Sequence, residues 1–244
     1  MSLWYATCFI VFSIQHIHGH SSIHSAPFHP HIHILGNTGT GGIIHAWSAR
    51  YVTRLIDKYA YNGRNMRREV ATHLATVYDK KQPSILEIGC GVGTLTEELV
   101  NSGFCDITAV DTSLEMLNVA KKNVPGAKYK QMNGIDVSKN FDVIIACMVC
   151  HELPKIANQQ LVDAMCERVC EKKGDVWIFD IHTLFTPSYS MLTGEPFLPQ
   201  YLETFDNLIK QKESENVFNS KTFPIIPQHV QAWVLEHKNK PSII

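Results

Sequence analysis

Apolar positions recur with two different periods along this chain, and the alternation between them predicts its architecture. Residues 84–88, Ser-Ile-Leu-Glu-Ile, are a short, largely apolar run with the length of a buried strand. Beyond Gly89, Gly91 and Gly93 the period changes. Leu95, Leu99 and Val100 fall at helical spacing, with Glu97 and Glu98 on the other face. The same switch repeats downstream. Strand patterns cover Asp106–Asp111, Ala127–Met132, Phe141–Ala146 and Gly174–Asp180, and the Phe141–Ala146 run is apolar enough for burial on both faces. A helix opens at Thr112–Leu117, with Thr112 or Ser113 able to cap it, and another runs from Lys155 to Glu171 through Leu161, Met165 and Val169. Val217–Pro224 and Val230–His237 read as a closing antiparallel hairpin with Trp233 and Leu235 inside. Strands alternating with helices predict a mostly parallel, doubly wound α/β sheet with ligands at the carboxyl ends of its strands.

Helical patterns also precede the first strand. One runs from Ile43 to about Tyr61, with Ile44, Trp47, Tyr51, Leu55 and Tyr59 near one face, after a flexible joint at Gly36–Gly42. A second passes through Val70, Leu74 and Val77 to Tyr78 and is broken at Asp79–Pro83. Past Asp180 a loop-rich insertion (residues 181–197) leads into a helix from Pro199 to Lys212 with Tyr201, Phe205 and Ile209 on one face.

The first 34 residues differ in kind. Leu3 to Ile14 is an almost unbroken apolar run, and seven histidines follow between His16 and His33. The run is shorter than the roughly 20 residues a membrane span needs, so no stable span is expected. It is similar to the apolar core of a signal peptide, although no Lys or Arg precedes it. The histidines lack carboxylate or cysteine partners at fixed spacing, which argues against a metal site. Residues 1–34 are expected to be a targeting-like extension or a misassigned start, and 35–244 the functional domain.

Composition narrows the classes. With 244 residues and 45% hydrophobic content the chain can bury one sizeable core with an added cap. A net charge of −1 leaves no electrostatic footprint for nucleic acid. Seven scattered cysteines are an odd count, which argues against a disulfide framework and for a reducing compartment. That compartment is an organelle such as the plastid if the leader is real, and the cytoplasm otherwise.

The glycine turn carries the first chemistry. Glycines between strand and helix let backbone N–H groups approach a nucleoside ligand without an obstructing Cβ. A dinucleotide site wants G-x-G-x-x-G, but the third glycine comes one residue early and Thr94 stands where glycine is wanted. A tight turn with no ligand is the plain alternative. With Glu87 ahead of it, E-x-G-x-G-x-G over Glu87–Gly93 resembles motif I of the class I S-adenosylmethionine (SAM)-dependent methyltransferases. Asp111 ends the next strand, eighteen residues beyond Gly93, where a carboxylate can accept both ribose hydroxyls.

The resemblance spans roughly residues 36–238 and is similar in flavour to the ubiquinone/menaquinone C-methyltransferases. It implies a Rossmann-like, doubly wound, seven-stranded, mostly parallel sheet with a C-terminal antiparallel hairpin, an N-terminal helical cap and a lid at about 181–212. It implies SAM as cofactor, held by Glu87, Gly89, Cys90, Gly91, Gly93, Asp111, Thr112, Met116 and Cys147, with Ile135 and Asp136 as the adenine-reading pair. Tyr59, Tyr61 and Arg67 from the cap, and His182, Tyr189, Met191 and Glu195 from the lid, are expected near the methionine end or the acceptor.

The loop after the Phe141–Ala146 strand, Cys147-Met-Val-Cys-His-Glu-Leu153, is where such enzymes declare their acceptor. It lacks the D/N-P-P-Y of adenine and glutamine N-methyltransferases and the Pro-Cys of cytosine C5 enzymes. Cys147 stands where metal-dependent catechol enzymes place an aspartate, so a metal-free site is expected. His151 is the candidate acid or base, since imidazole titrates near neutrality, with Glu152 as its orienting partner; a structural histidine is the alternative. Cys147 and Cys150 read as small hydrophobic residues.

The expected function is SAM-dependent methylation of a small molecule at carbon, oxygen, nitrogen or sulfur. A protein or RNA methyltransferase would want a basic patch or a recognition domain. A non-catalytic SAM-binding protein would tend to lose the acids and glycines present here. Oligomeric state stays open.

Overall fold

The computed structural model describes residues 39–78 and 81–240. The extension 1–34, the start of the flexible joint and the Asp79–Lys80 breaker lie outside the described residues.

Seven strands form one sheet in the order β3-β2-β1-β4-β5-β7-β6. They are β1 (Ile85–Ile88), β2 (Ile107–Asp111), β3 (Lys128–Gln131), β4 (Val143–Cys147), β5 (Asp175–Ile181), β6 (Phe218–Ile226) and β7 (Val230–His237). The first five pair in parallel and β7 runs antiparallel to both β5 and β6. The expected topology is therefore the observed one. Chain order reverses between β1 and β4, which opens a crevice at the carboxyl ends of those strands.

Helices cover both faces. On one, α5 (Lys155–Cys170) and α7 (Leu198–Ser214) bury Leu161, Met165, Val169, Tyr201 and Phe205 against Ile144, Ile178 and Trp233. On the other, α2 (Met66–Val77) and α3 (Thr94–Asn101) bury Val70, Leu74, Leu95 and Leu99 against Ile85, Ile145 and Phe179. Each fully buried leucine here contributes about 1.5–3 kcal/mol relative to exposure. Two further helices, α4 (Leu114–Asn123) and the short α6 (Tyr189–Gly194), complete the set.

The cap helix α1 (Gly39–Tyr59) departs from expectation twice. It begins at Gly39, so the second half of the supposed joint is helical, with the Gly39 N–H donating to Glu115 at 2.7 Å. Its aromatic face does not point inward. Trp47 is 83% and Tyr51 66% exposed, while Ala46 packs with Val92 and Met116 over the crevice. The small side chains of Ala46 and Ala49 face α4 and the glycine turn, against which α1 lies close.

Candidate active site

The crevice at the switch point is a cavity of about 400 Å³. Its floor is the glycine turn. Gly89, Gly91 and Gly93 all adopt positive φ. A Cβ on Gly89 would stand 2.5 Å from the Val149 Cγ2, so the backbone's approach to the β4 loop also requires glycine there. Below the turn Glu87 is 2% exposed and accepts a hydrogen bond from Thr96 Oγ1 at 2.7 Å. Burial, opposed by that bond and reinforced by Asp111, pushes its carboxyl up to about 8.

Asp111 sits at the end of β2. One oxygen accepts the Gly91 N–H at 2.8 Å and the other the Ser113 N–H at 2.9 Å, so the carboxylate is locked toward the cavity. Ser113 in turn caps α4 by accepting from Met116 N–H. Two buried nitrogens on the cavity wall have no hydrogen-bond partner among the described residues: Nδ2 of Asn133 and Nη1 of Arg67. Arg67 is held by Asp57 at 3.7 Å. An amide donor at the end past β3, a guanidinium near β1 and β4, and a carboxylate between them have the polarity that the adenine, carboxylate and ribose of a SAM-like ligand would require.

Of the expected cofactor residues, Glu87, Gly89, Cys90, Gly91, Asp111, Thr112, Met116 and Cys147 line this cavity. Gly93 does not; it is the left-handed cap of α3, packed on Ala120. Ile135 and Asp136 do not line it either. They sit in a single 3-10 turn that carries Asp136 to the surface, and the wall there is Asn133 and Gly134. Of the acceptor-side candidates only Glu195 and Arg67 line the cavity. Tyr61 is buried edge-on to His229, Tyr59 is 46% and Tyr189 80% exposed, and His182 accepts from Leu184 N–H within its own loop. Met191 is packed against the core beside the lid.

The β4 loop supplies the acceptor end. His151 is 6% exposed, and its Nδ1 lies 2.6 Å from Asp180 Oδ1 at the end of β5. The expected partner, Glu152, does not orient it. Asp180 is fully buried and also accepts the N–H groups of Val149, Cys150, His151 and Ile181. It thus fixes both the ring and the loop that carries it. Sequence reading placed Asp180 only as a strand end; its cue was an acid closing the strand next to β4.

A ring nitrogen of His151 and one oxygen each from Glu152 and Glu195 lie within 4.8 Å of one another. Burial alone would lower the imidazole's pKa, but Asp180, then Glu195 and Glu152, outweigh it and raise it to about 10. The base expected to titrate near neutrality is therefore held protonated beside Asp180. Burial and mutual repulsion raise the Glu152 carboxyl, and burial that of Glu195. Burial also pushes the Cys147 thiol up to about 12, and Cys150 well above its usual value, which leaves both as neutral thiols.

These shifts have one sign for stability. The folded protein holds protons on His151 above the ordinary value of 6.5 up to about 10, and on Glu87 up to about 8. Stability from both is present at lower pH and lost as pH rises through those values. In EDTA the melting temperature should fall steadily from pH 7 to 10. A rising or flat trend would contradict the assignment.

Residues 86–178 match the family model described as a methyltransferase domain. The chain is 36% identical over 115 residues to the malonyl-[acyl-carrier protein] O-methyltransferase of Halalkalibacterium halodurans, covering 40% of this chain and 42% of that one. It is 34% identical over 95 residues to the Priestia megaterium protein of the same name, covering 37% and 35%. The matched stretches thus span about two fifths of these relatives' length. Among solved structures, the plantazolicin methyltransferase BpumL in complex with SAH superposes with a TM-score of 0.57 at 18% identity, covering 81% of this chain and 90% of that one. The N-methyltransferase NodS of Bradyrhizobium japonicum gives 0.53 at 13%, covering 72% and 88%. At these identities the two structures share a fold with this chain.

Proposed function

This chain belongs to the class I SAM-dependent methyltransferases, and from that premise we propose that it transfers a methyl group from SAM to a small-molecule acceptor. The observation that carries the reading is a single cavity with a nucleoside-reading end, at Asp111 and Asn133, and a reactive end, at His151, Glu152 and Glu195.

The donor supplies a methyl already activated by its sulfonium, so transfer of that methyl needs no metal. The chain's own work is alignment and exclusion of water. Asp111 is placed for the ribose hydroxyls, Asn133 Nδ2 for the base and Arg67 for the carboxylate of the methionine moiety. His151, steered by Asp180, positions the acceptor's nucleophilic atom, and Glu195 brings the lid over it. A cavity of about 400 Å³ suits a small acceptor, or the reactive tip of a larger one, better than a folded protein surface. The curated relatives methylate, by name, a malonyl group on a carrier protein, which makes a malonyl thioester one acceptor to test.

The test is transfer of labelled methyl from SAM across malonyl thioesters, quinols, phenols, hydroxy acids, thioethers and amines. Incorporation into none of them, by protein that binds SAM, would count against a small-molecule acceptor. For the donor site, Asp111→Ala should weaken SAM binding by about 1.5–3 kcal/mol, the range for hydrogen bonds to a charged group. Calorimetric titration reads this, and an unchanged Kd would refute the ribose assignment.

A further inference from the structure

We propose that His151, Glu152 and Glu195 form a binding site for a divalent first-row metal ion, open toward the acceptor. Cys147 at the end of β4 removes one familiar place for a ligand. The structure assembles another, starting four residues further on at His151, with its third member from the lid.

Three independent features support the site. The first is the donor set: two carboxylates and one imidazole converge on one gap in the cavity wall. Neither glutamate side chain makes a hydrogen bond to a described residue, and the His151 ring is the group that favours the ionised form of both.

The second is His151 itself. Its side chain is 7% exposed, and Nδ1 is taken by Asp180 at 2.6 Å, so a metal ion would bind at Nε2 and displace the proton held there. A carboxylate on the far nitrogen is how metal-bound histidines are oriented and made more basic. Asp180 is in turn held by four backbone N–H groups, so the imidazole is pre-aimed.

The third is scale. First-row ions hold nitrogen and oxygen ligands at about 2.0–2.2 Å, so two ligands of a tetrahedral ion stand roughly 3.4 Å apart. The observed spread of up to 4.8 Å closes with a shift of up to about 0.7 Å at each side chain, within the reach of a χ rotation. Glu195 caps the end of the short α6 and is the movable member. Three protein ligands leave positions open, and an acceptor oxygen can take one. The ion would then also tie the lid to the β4 loop. A mixed oxygen and nitrogen set fits manganese, iron, cobalt or zinc better than calcium.

The experiment uses the full chain, stripped with EDTA and titrated with Mn²⁺ by electron paramagnetic resonance, with SAM titrated into the same samples. Manganese is the probe because the histidine-rich stretch of residues 16–33 favours later metals. Wild type should bind Mn²⁺ saturably, and Glu195→Gln should lose that binding while keeping SAM affinity. Asp180→Asn should weaken it about 10–100-fold, the usual effect of removing an outer partner. Mn²⁺ affinity equal in wild type and Glu195→Gln, or no saturable binding by protein that binds SAM, overturns the site; the latter is also what an acceptor amine bridging the glutamates would give. Loss of SAM binding in wild type would instead strike at the donor reading, so the two failures are distinguishable.

Discussion

Replacing His151 by alanine should lower turnover by about 10²–10⁴-fold while SAM affinity stays within about twofold. The split follows from position. His151 lies on the β4 loop, and its ring is tied to Asp180 rather than to Asp111 or Asn133. Removing it therefore takes away acceptor positioning and leaves the donor site whole. If the ring orients the acceptor, His151→Gln should recover part of the loss and the Michaelis constant should rise in the alanine variant. The pH profile separates this from base catalysis. With the imidazole raised to about 10, wild-type turnover should show no histidine limb between pH 6 and 7. A limb there that disappears in the variant would restore the general base. Wild-type kinetics in folded His151→Ala would make the residue structural.

Much of the donor half could be read from the chain because its determinants are local. The glycine turn, Asp111 and Met116 lie within one β-α-β unit, where strand length and helical period fix which way each residue faces. Reading failed where geometry depended on elements far apart in sequence. Ile135 and Asp136 were expected at the adenine because the chain turns there. The 3-10 turn over Gly134–Asp136 carries Asp136 to the surface, and the wall there is Asn133 and Gly134, with the unpartnered Asn133 amide visible only once the wall is built. The same holds for α1, where helical spacing marked an apolar face but could not say that alanines, not Trp47, meet the glycine turn and α4. At the reactive end His151 stood out as a residue type. Its partner lay 29 positions away on β5, and Glu195 arrived from the lid. Pairings of this kind come from sheet order, which a single sequence does not print.

Asp180→Ala should be the most destabilising change in the site. The carboxylate is fully buried, accepts four backbone N–H groups and faces the protonated ring of His151. Alanine leaves all four donors and a buried imidazole without a partner. Breaking a buried ion pair from one side costs about 3–5 kcal/mol. For a domain of this size that lowers the melting temperature by on the order of 10 °C. Asparagine is the informative contrast. Its carbonyl can still accept from the loop, so most stability should survive, but it cannot hold the imidazolium through a charge. Asp180→Asn should therefore stay folded, bind SAM normally and lose turnover nearly as severely as His151→Ala. The double variant Asp180→Asn/His151→Ala should lose little more than either single change, because both remove one unit. If Asp180→Ala melts within a degree or two of wild type, the carboxylate does not organise the loop. If the two losses multiply in the double variant, Asp180 and His151 act separately and the acceptor end has been misassigned.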